Sequence, residues 1–159
     1  MRNEKGVTLV EVVSCMVILS VLAGMANPMF ENIKAKLALH GEVSKLVGEL
    51  HNARIFAIKS NAHVVFHYTE NGYITFVDDG KNGGIKGDCS HQSGEQILSD
   101  VTFGDRLKIV APESSFTLQR AIFSGKIGVS GGTVVLQGSN GNKSKVIVNS
   151  LGRVRVEKL

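Results

Sequence analysis

Hydrophobic and polar positions divide this chain into three regimes. Met1-Arg2-Asn3-Glu4-Lys5-Gly6 is short and charged, and Val7 to Ala26 is dominated by Val, Ile, Leu, Met, Ala and Cys, with one carboxylate at Glu11. A run of about 20 such residues forms a helix of about 30 Å, the thickness of a bilayer core. From Phe30 to about Ser60 the period is helical. Ile33, Leu37, His40, Ser44, Val47 and Leu50 follow steps of three and four, and Leu46, Ala53 and Ala57 widen the stripe. Lys34, Lys36, Glu42, Lys45, Glu49 and Lys59 fall largely beside it. Gly41 and Gly48 each weaken the helix by about 1 kcal/mol relative to Ala. With the apolar run this makes a rod of about 54 residues, near 80 Å.

After Ser60 the period changes to two. Val64–Tyr68 and Tyr73–Val77 read as strands joined by a turn at Glu70-Asn71-Gly72, followed by a loop from Asp78 to Gly94. Further strands are predicted at Ile97–Phe103, Leu107–Val110, Phe116–Leu118, Ala121–Phe123, Thr133–Gln137, Lys145–Asn149 and Val154–Glu157, with a hairpin tip at Gly138-Ser139-Asn140-Gly141-Asn142. The predicted class is α+β: a long N-terminal helix, membrane-spanning in its first half, packed on antiparallel β-sheets of a C-terminal globular domain. The organisation expected is a leader over 1–6, an apolar helix over 7–29, its amphipathic continuation over 30–60 and a β-rich domain over 61–159.

Glu11 is the most informative residue. A carboxylate at membrane depth costs roughly 2.5–3.5 kcal/mol even on lenient scales, so such a residue usually has a functional partner. An ordinary secretory signal peptide is the competing reading: Arg2 and Lys5 as charged region, Val12 to Ala23 as apolar region, Gly24-Met25-Ala26 as cleavage site. An acid inside the apolar region gives a signal peptide nothing, and the pattern after Ala26 continues helically.

These residues resemble the type IV pilin and type II secretion pseudopilin superfamily over Lys5 to Pro28. The resemblance implies that a prepilin peptidase cuts between Gly6 and Val7, that the new N-terminus at Val7 is methylated, and that Glu11 pairs with an amine in the growing filament. The family usually carries Phe or Met where Val7 stands. Pro28 sits where pilins kink their long helix, 21 positions beyond Val7. Farther on, Ala53-Arg54-Ile55-Phe56-Ala57-Ile58-Lys59-Ser60-Asn61, Phe76-Val77-Asp78, Phe123-Ser124-Gly125-Lys126-Ile127-Gly128, Gly132-Thr133-Val134-Val135-Leu136 and Gly152-Arg153-Val154-Arg155 follow the order of the GspH/FimT-like minor pilin group. The resemblance implies a low-copy subunit of a pilus or secretion pseudopilus, held in the bacterial inner membrane with its globular domain outside the cytoplasm. Its partners would be other major and minor pilins or pseudopilins and the prepilin peptidase, and some members bind DNA for uptake.

Charge bears on that last point. Residues 61–118 hold four Lys or Arg against eight Asp or Glu, and residues 119–159 hold seven against one. Arg120, Lys126, Lys143, Lys145, Arg153, Arg155 and Lys158 thus supply a candidate basic patch. In a strand, Arg153 and Arg155 project to one face about 6.5–7 Å apart and can reach successive phosphate oxygens. In DNA-binding members of the group a Gly-Arg-x-Arg motif does this work. The alternative is a purely structural pseudopilin of protein export, with a solvated strand face whose charges discourage edge pairing.

Other chemistry is thin. Cys15 lies in the apolar run and Cys89 in a polar loop, so the two are not expected to pair. Asp78, Asp79, Asn82 and Asp88 offer oxygen ligands for calcium in a Gly-rich loop, without EF-hand spacing. His63 and His67 share a strand face about 13 Å apart, too far for one metal. No nucleophile, base and oxyanion donor can be assembled from spacing. The chain reads as non-enzymatic, with neither cofactor nor metal.

Overall fold

The structure, a computed structural model, describes residues 6–81, 85–125 and 129–159, except the side chains of residues 25–29. Helix α1 runs Leu9–Ser60, and eight strands follow: β1 His63–Thr69, β2 Gly72–Asp78, β3 Ile97–Thr102, β4 Leu107–Ile109, β5 Arg120–Phe123, β6 Gly132–Gly138, β7 Lys143–Val148 and β8 Val154–Lys158. They form two antiparallel four-stranded sheets, ordered β3-β2-β1-β5 and β4-β6-β7-β8. The chain divides into two compact units at Lys34/Ala35.

In the first unit α1 is apolar nearly all round, and Leu9, Val10, Val13, Met16, Val17, Ile18, Leu19, Val21 and Leu22 are all exposed. Ser14 and Ser20 donate their hydroxyls back to the carbonyls of Val10 and Val17, each at 2.8 Å, so neither asks for a polar neighbour. Among the described residues no helix is long and apolar enough to cross a membrane. The side chains of residues 25–29, Pro28 included, lie outside the described set.

The second unit holds the core. Alternation in β1 points Val64, Phe66 and Tyr68 inward, and β2 adds Tyr73 and Val77; from the other sheet come Val134, Leu136, Val146 and Val148. Each such side chain gains about 1.5–3 kcal/mol on burial. Phe66 and Tyr73 stack with ring centres 5.4 Å apart, and Phe103 meets Tyr73 edge-on at 5.9 Å. Burial, with Glu42 and Glu49 of α1 nearby, pushes the Tyr73 phenol well above its ordinary pKa.

α1 closes this core with a face rotated from the expected one. The buried stripe is Ala35, Leu39, Val43, Leu46, Leu50, Ala53 and Ala57, spaced by fours and threes, whereas Ile33 and Leu37 are 43% and 65% exposed, and His40 and Ser44 also face outward. Leu46, Leu50, Ala53 and Ala57 match the expectation; Ile33, Leu37, His40 and Ser44 do not. The alanines let the backbone come close to the sheets, which fixes the choice of face.

A second difference is at Phe116–Leu118, predicted as a strand. Thr117–Gln119 is a 3-10 turn with Leu118 and Gln119 at φ of 55° and 58°. Phe116 alone is buried there, edge-on to Tyr68 and over Gly132, where any side chain would run into its ring. The segment carries one anchor between sheets and has no alternating face to pair.

Candidate functional site

The start of α1 is locally specified. Thr8 precedes the first helical residue, and its Oγ1 accepts from the Glu11 amide at 3.4 Å while its carbonyl accepts from the same amide at 3.1 Å. Thr8 and Glu11 therefore stand in N-cap and third-residue spacing, the arrangement of a capping box. A carboxylate in the first turn also faces the positive end of the helix dipole. No hydrogen bond or ion pair of the Glu11 carboxylate itself is seen among the described residues. The Thr8 cap escaped the sequence reading, although Thr8-Leu9-Val10-Glu11 carries its signature.

Loop residues Asp78 to Gln96 are organised from within. Asp78, fully buried at the end of β2, accepts from the amides of Gly87 at 2.6 Å and Cys89 at 3.0 Å. Bonds to a charged acceptor are worth about 1.5–3 kcal/mol each, so this carboxylate works as a loop clasp. Asp79 pairs with the Lys81 ammonium at 2.6 Å, which holds its carboxyl below the usual range. Asp88 accepts from the Ser90 amide and, at 2.6 Å, from the Gln92 side chain. The carboxylates proposed for calcium are thus used within the loop; Asn82 lies outside the described residues. Among the described residues no group of three or more His, Cys, Asp or Glu is placed to hold a metal ion. His63 and His67 lie four positions apart on the seven-residue strand β1, and both cysteines are free thiols.

The basic residues divide between the two sheets. Arg120, on edge strand β5, donates through Nη1 to the carbonyls of Cys89 at 2.9 Å and Asp88 at 3.4 Å. It fastens the loop to the first sheet and, with burial as the larger cause, holds the neighbouring His67 imidazole below its ordinary pKa. Arg120 therefore does not join the C-terminal arginines. Lys126 lies outside the described residues. Lys143, Lys145, Arg153 and Arg155 do come together on the second sheet. Register pairs Lys145 with Glu157 and Ile147 with Arg155, and the opposite parity carries the core residues Val146 and Val148. Lys143, Lys145, Arg155 and Glu157 consequently share the outer face, and Arg153 continues it beyond the strand. Two of these cations already have partners: Lys143 the Glu113 carboxylate, and Arg155 the Glu157 carboxylate at 3.0 Å. Arg54 of α1 reaches the carbonyl of Gly152 at 3.1 Å and ties the start of β8 to the helix.

This arrangement of one long helix and two antiparallel sheets is found in known proteins. The prokaryotic N-terminal methylation motif matches residues 1–27, and the model of the type II transport protein GspH matches residues 42–152. The chain belongs to the GspH family. A pilin-like protein of Thermus thermophilus, PilA1, is 29% identical over 162 aligned positions, covering 98% of this chain and 99% of that one. The minor pseudopilin EpsH from the type 2 secretion system of Vibrio cholerae superposes with a TM-score of 0.57 over 76% of this chain and 96% of that one. At 11% identity that likeness shows the fold alone. A pilin-like or pseudopilin-like structural subunit is the role these findings support for the GspH-family chain.

Proposed function

We infer that this chain is a low-copy subunit of an envelope filament, cut by a prepilin peptidase between Gly6 and Val7, methylated at Val7 and joined to the growing filament through Glu11. Before assembly its apolar helix holds it in the inner membrane, with the globular unit outside the cytoplasm. The observation that carries this reading is the first unit of α1, apolar nearly all round, with Glu11 in its first turn unpaired among the described residues. A surface of that kind needs a cover, either lipid or the helices of other subunits. Pro28 is assigned the helix adjustment that lets the two halves of α1 meet those neighbours. The test is to tag the C-terminal end, shear filaments from the cells and probe them with antibody. Sparse labelling along or at the end of filaments is expected; a tag found only in membranes when filaments are abundant would refute the assignment.

A second role rests on Lys145, Arg153 and Arg155, exposed or half-exposed on one sheet face with Lys143 beside them. It takes this face as a phosphate contact for DNA, without Arg120. Binding should then weaken steeply with salt, and Arg153→Gln with Arg155→Gln should lower the salt slope by about two units while stability changes by less than about 1 kcal/mol. Gel-shift titrations with single- and double-stranded fragments measure it. No shift by the unmutated chain at about 50 mM salt would leave the face to the purely structural role.

A further inference from the structure

β8 is the outermost strand of its sheet, and its ladder register decides which backbone groups are free. The amide of Leu159 donates to Lys143, and that of Asn149 donates to Arg153. Odd-numbered residues of β8 therefore bond to β7, and the N–H and C=O groups of Val154, Val156 and Lys158 point to the open edge. Beside this edge α1 and the sheet leave a groove of about 430 Å³, lined by Lys36, Leu37, Leu39 and His40 from the helix and by Ser144 and Lys158 from the strands. Leu37 of the groove is 65% exposed, and Val156 of the edge strand is 46% exposed.

We propose that this edge and groove receive an extended, acidic strand of a neighbouring filament subunit, which adds to the second sheet beside β8. Main-chain bonds to Val154, Val156 and Lys158 supply the pairing, as in other strand additions. Alternation then sets the side-chain chemistry of the guest. Its inward residues lie beneath α1 against Val156 and Leu37 and must be apolar. Its outward residues lie beside Arg153 and Arg155 and must be acidic. Lys36 and Lys158 at the rim reinforce the choice, and Glu157 is the acid of β8 itself. The Arg155–Glu157 pair is exposed and weak, so it yields to a better-placed carboxylate. The same charges repel a second β8, so two copies do not pair through like edges.

Val154, Val156 and Lys158 are the reporters. Hydrogen exchange is followed in the full chain in detergent micelles, with a peptide of about six residues alternating Val and Glu, the length of an ordinary strand. Exchange should slow by at least about tenfold at these three amides, with little change at Arg155 and Glu157. A control peptide of the same length alternating Val and Lys should not protect them. Arg153→Glu with Arg155→Glu should reverse the preference without unfolding the chain, since both side chains are exposed. Unprotected amides, equal protection by both peptides, or protection that grows with the chain's own concentration would overturn the proposal, the last because the occupant would be a second copy. The inference rests on the filament-subunit reading for the neighbour's identity. The peptide experiment needs no filament, so either can fail alone.

Discussion

Gly6→Leu is expected to leave the chain uncut, with all six leader residues retained and no methyl group at Val7. The structure separates this effect from folding. Among the described residues a Cβ at Gly6 would meet nothing within 4 Å, and Val7 is 71% exposed, so the substitution disturbs no described contact. Any loss of processing must then arise where an enzyme grips the backbone, in a pocket that glycine alone suits because it allows the closest approach. Intact-protein mass spectrometry in cells with and without the prepilin peptidase measures the outcome. The unmutated chain should lose Met1 to Gly6 only when the peptidase is present. Removal of 26 residues, as a secretory signal peptidase would cut after Ala26, would refute the processing site, and so would normal cleavage of the Leu variant.

The same chain shows where reading a sequence by periodicity succeeds and where it stops. The period-two segments with clear turns were legible, because Glu70-Asn71 and the tip around Gly141, at φ of 81°, fix both ends of each strand. On α1 the sequence carries two apolar stripes, one through Leu37 and one through Leu39. Period alone cannot tell a stripe that packs within the chain from one left for neighbours. The small residues Ala35, Ala53 and Ala57 decide it, since only they permit close approach to the sheets. The basic patch was legible only in part. Counting charge along the chain placed Arg120 with Arg153 and Arg155, yet strand order puts β5 in the other sheet, where the guanidinium holds a loop. In the Gly-rich loop, spacing argued against a calcium site but did not show what the carboxylates do; the amides of Gly87 and Cys89 show Asp78 holding the loop.

Glu11→Ala should insert into the membrane as well as the parent or better, and should lose most of its incorporation into filaments. Removing the carboxylate relieves roughly 2.5–3.5 kcal/mol of burial cost in lipid, so insertion cannot be what suffers. On the proposed assembly role, the cost of keeping Glu11 is repaid where an amine comes within reach in the filament. One local effect competes with this account. Glu11 is the third residue of the helix opened by Thr8, a position where a Glu or Gln side chain can support the helix start as an acceptor. Glu11→Gln separates the two, because glutamine keeps the length and can accept in the same capping-box position but carries no charge. If an ion pair is the function, Gln and Ala should fail alike in filament incorporation, while membrane fractions contain equal amounts of both. Recovery of incorporation by Gln would assign Glu11 to helix capping, and normal incorporation of Ala would remove it from assembly altogether. Quantitative immunoblots of sheared filaments against total membranes give the ratio, and carbonate extraction of the membranes confirms that insertion is unchanged.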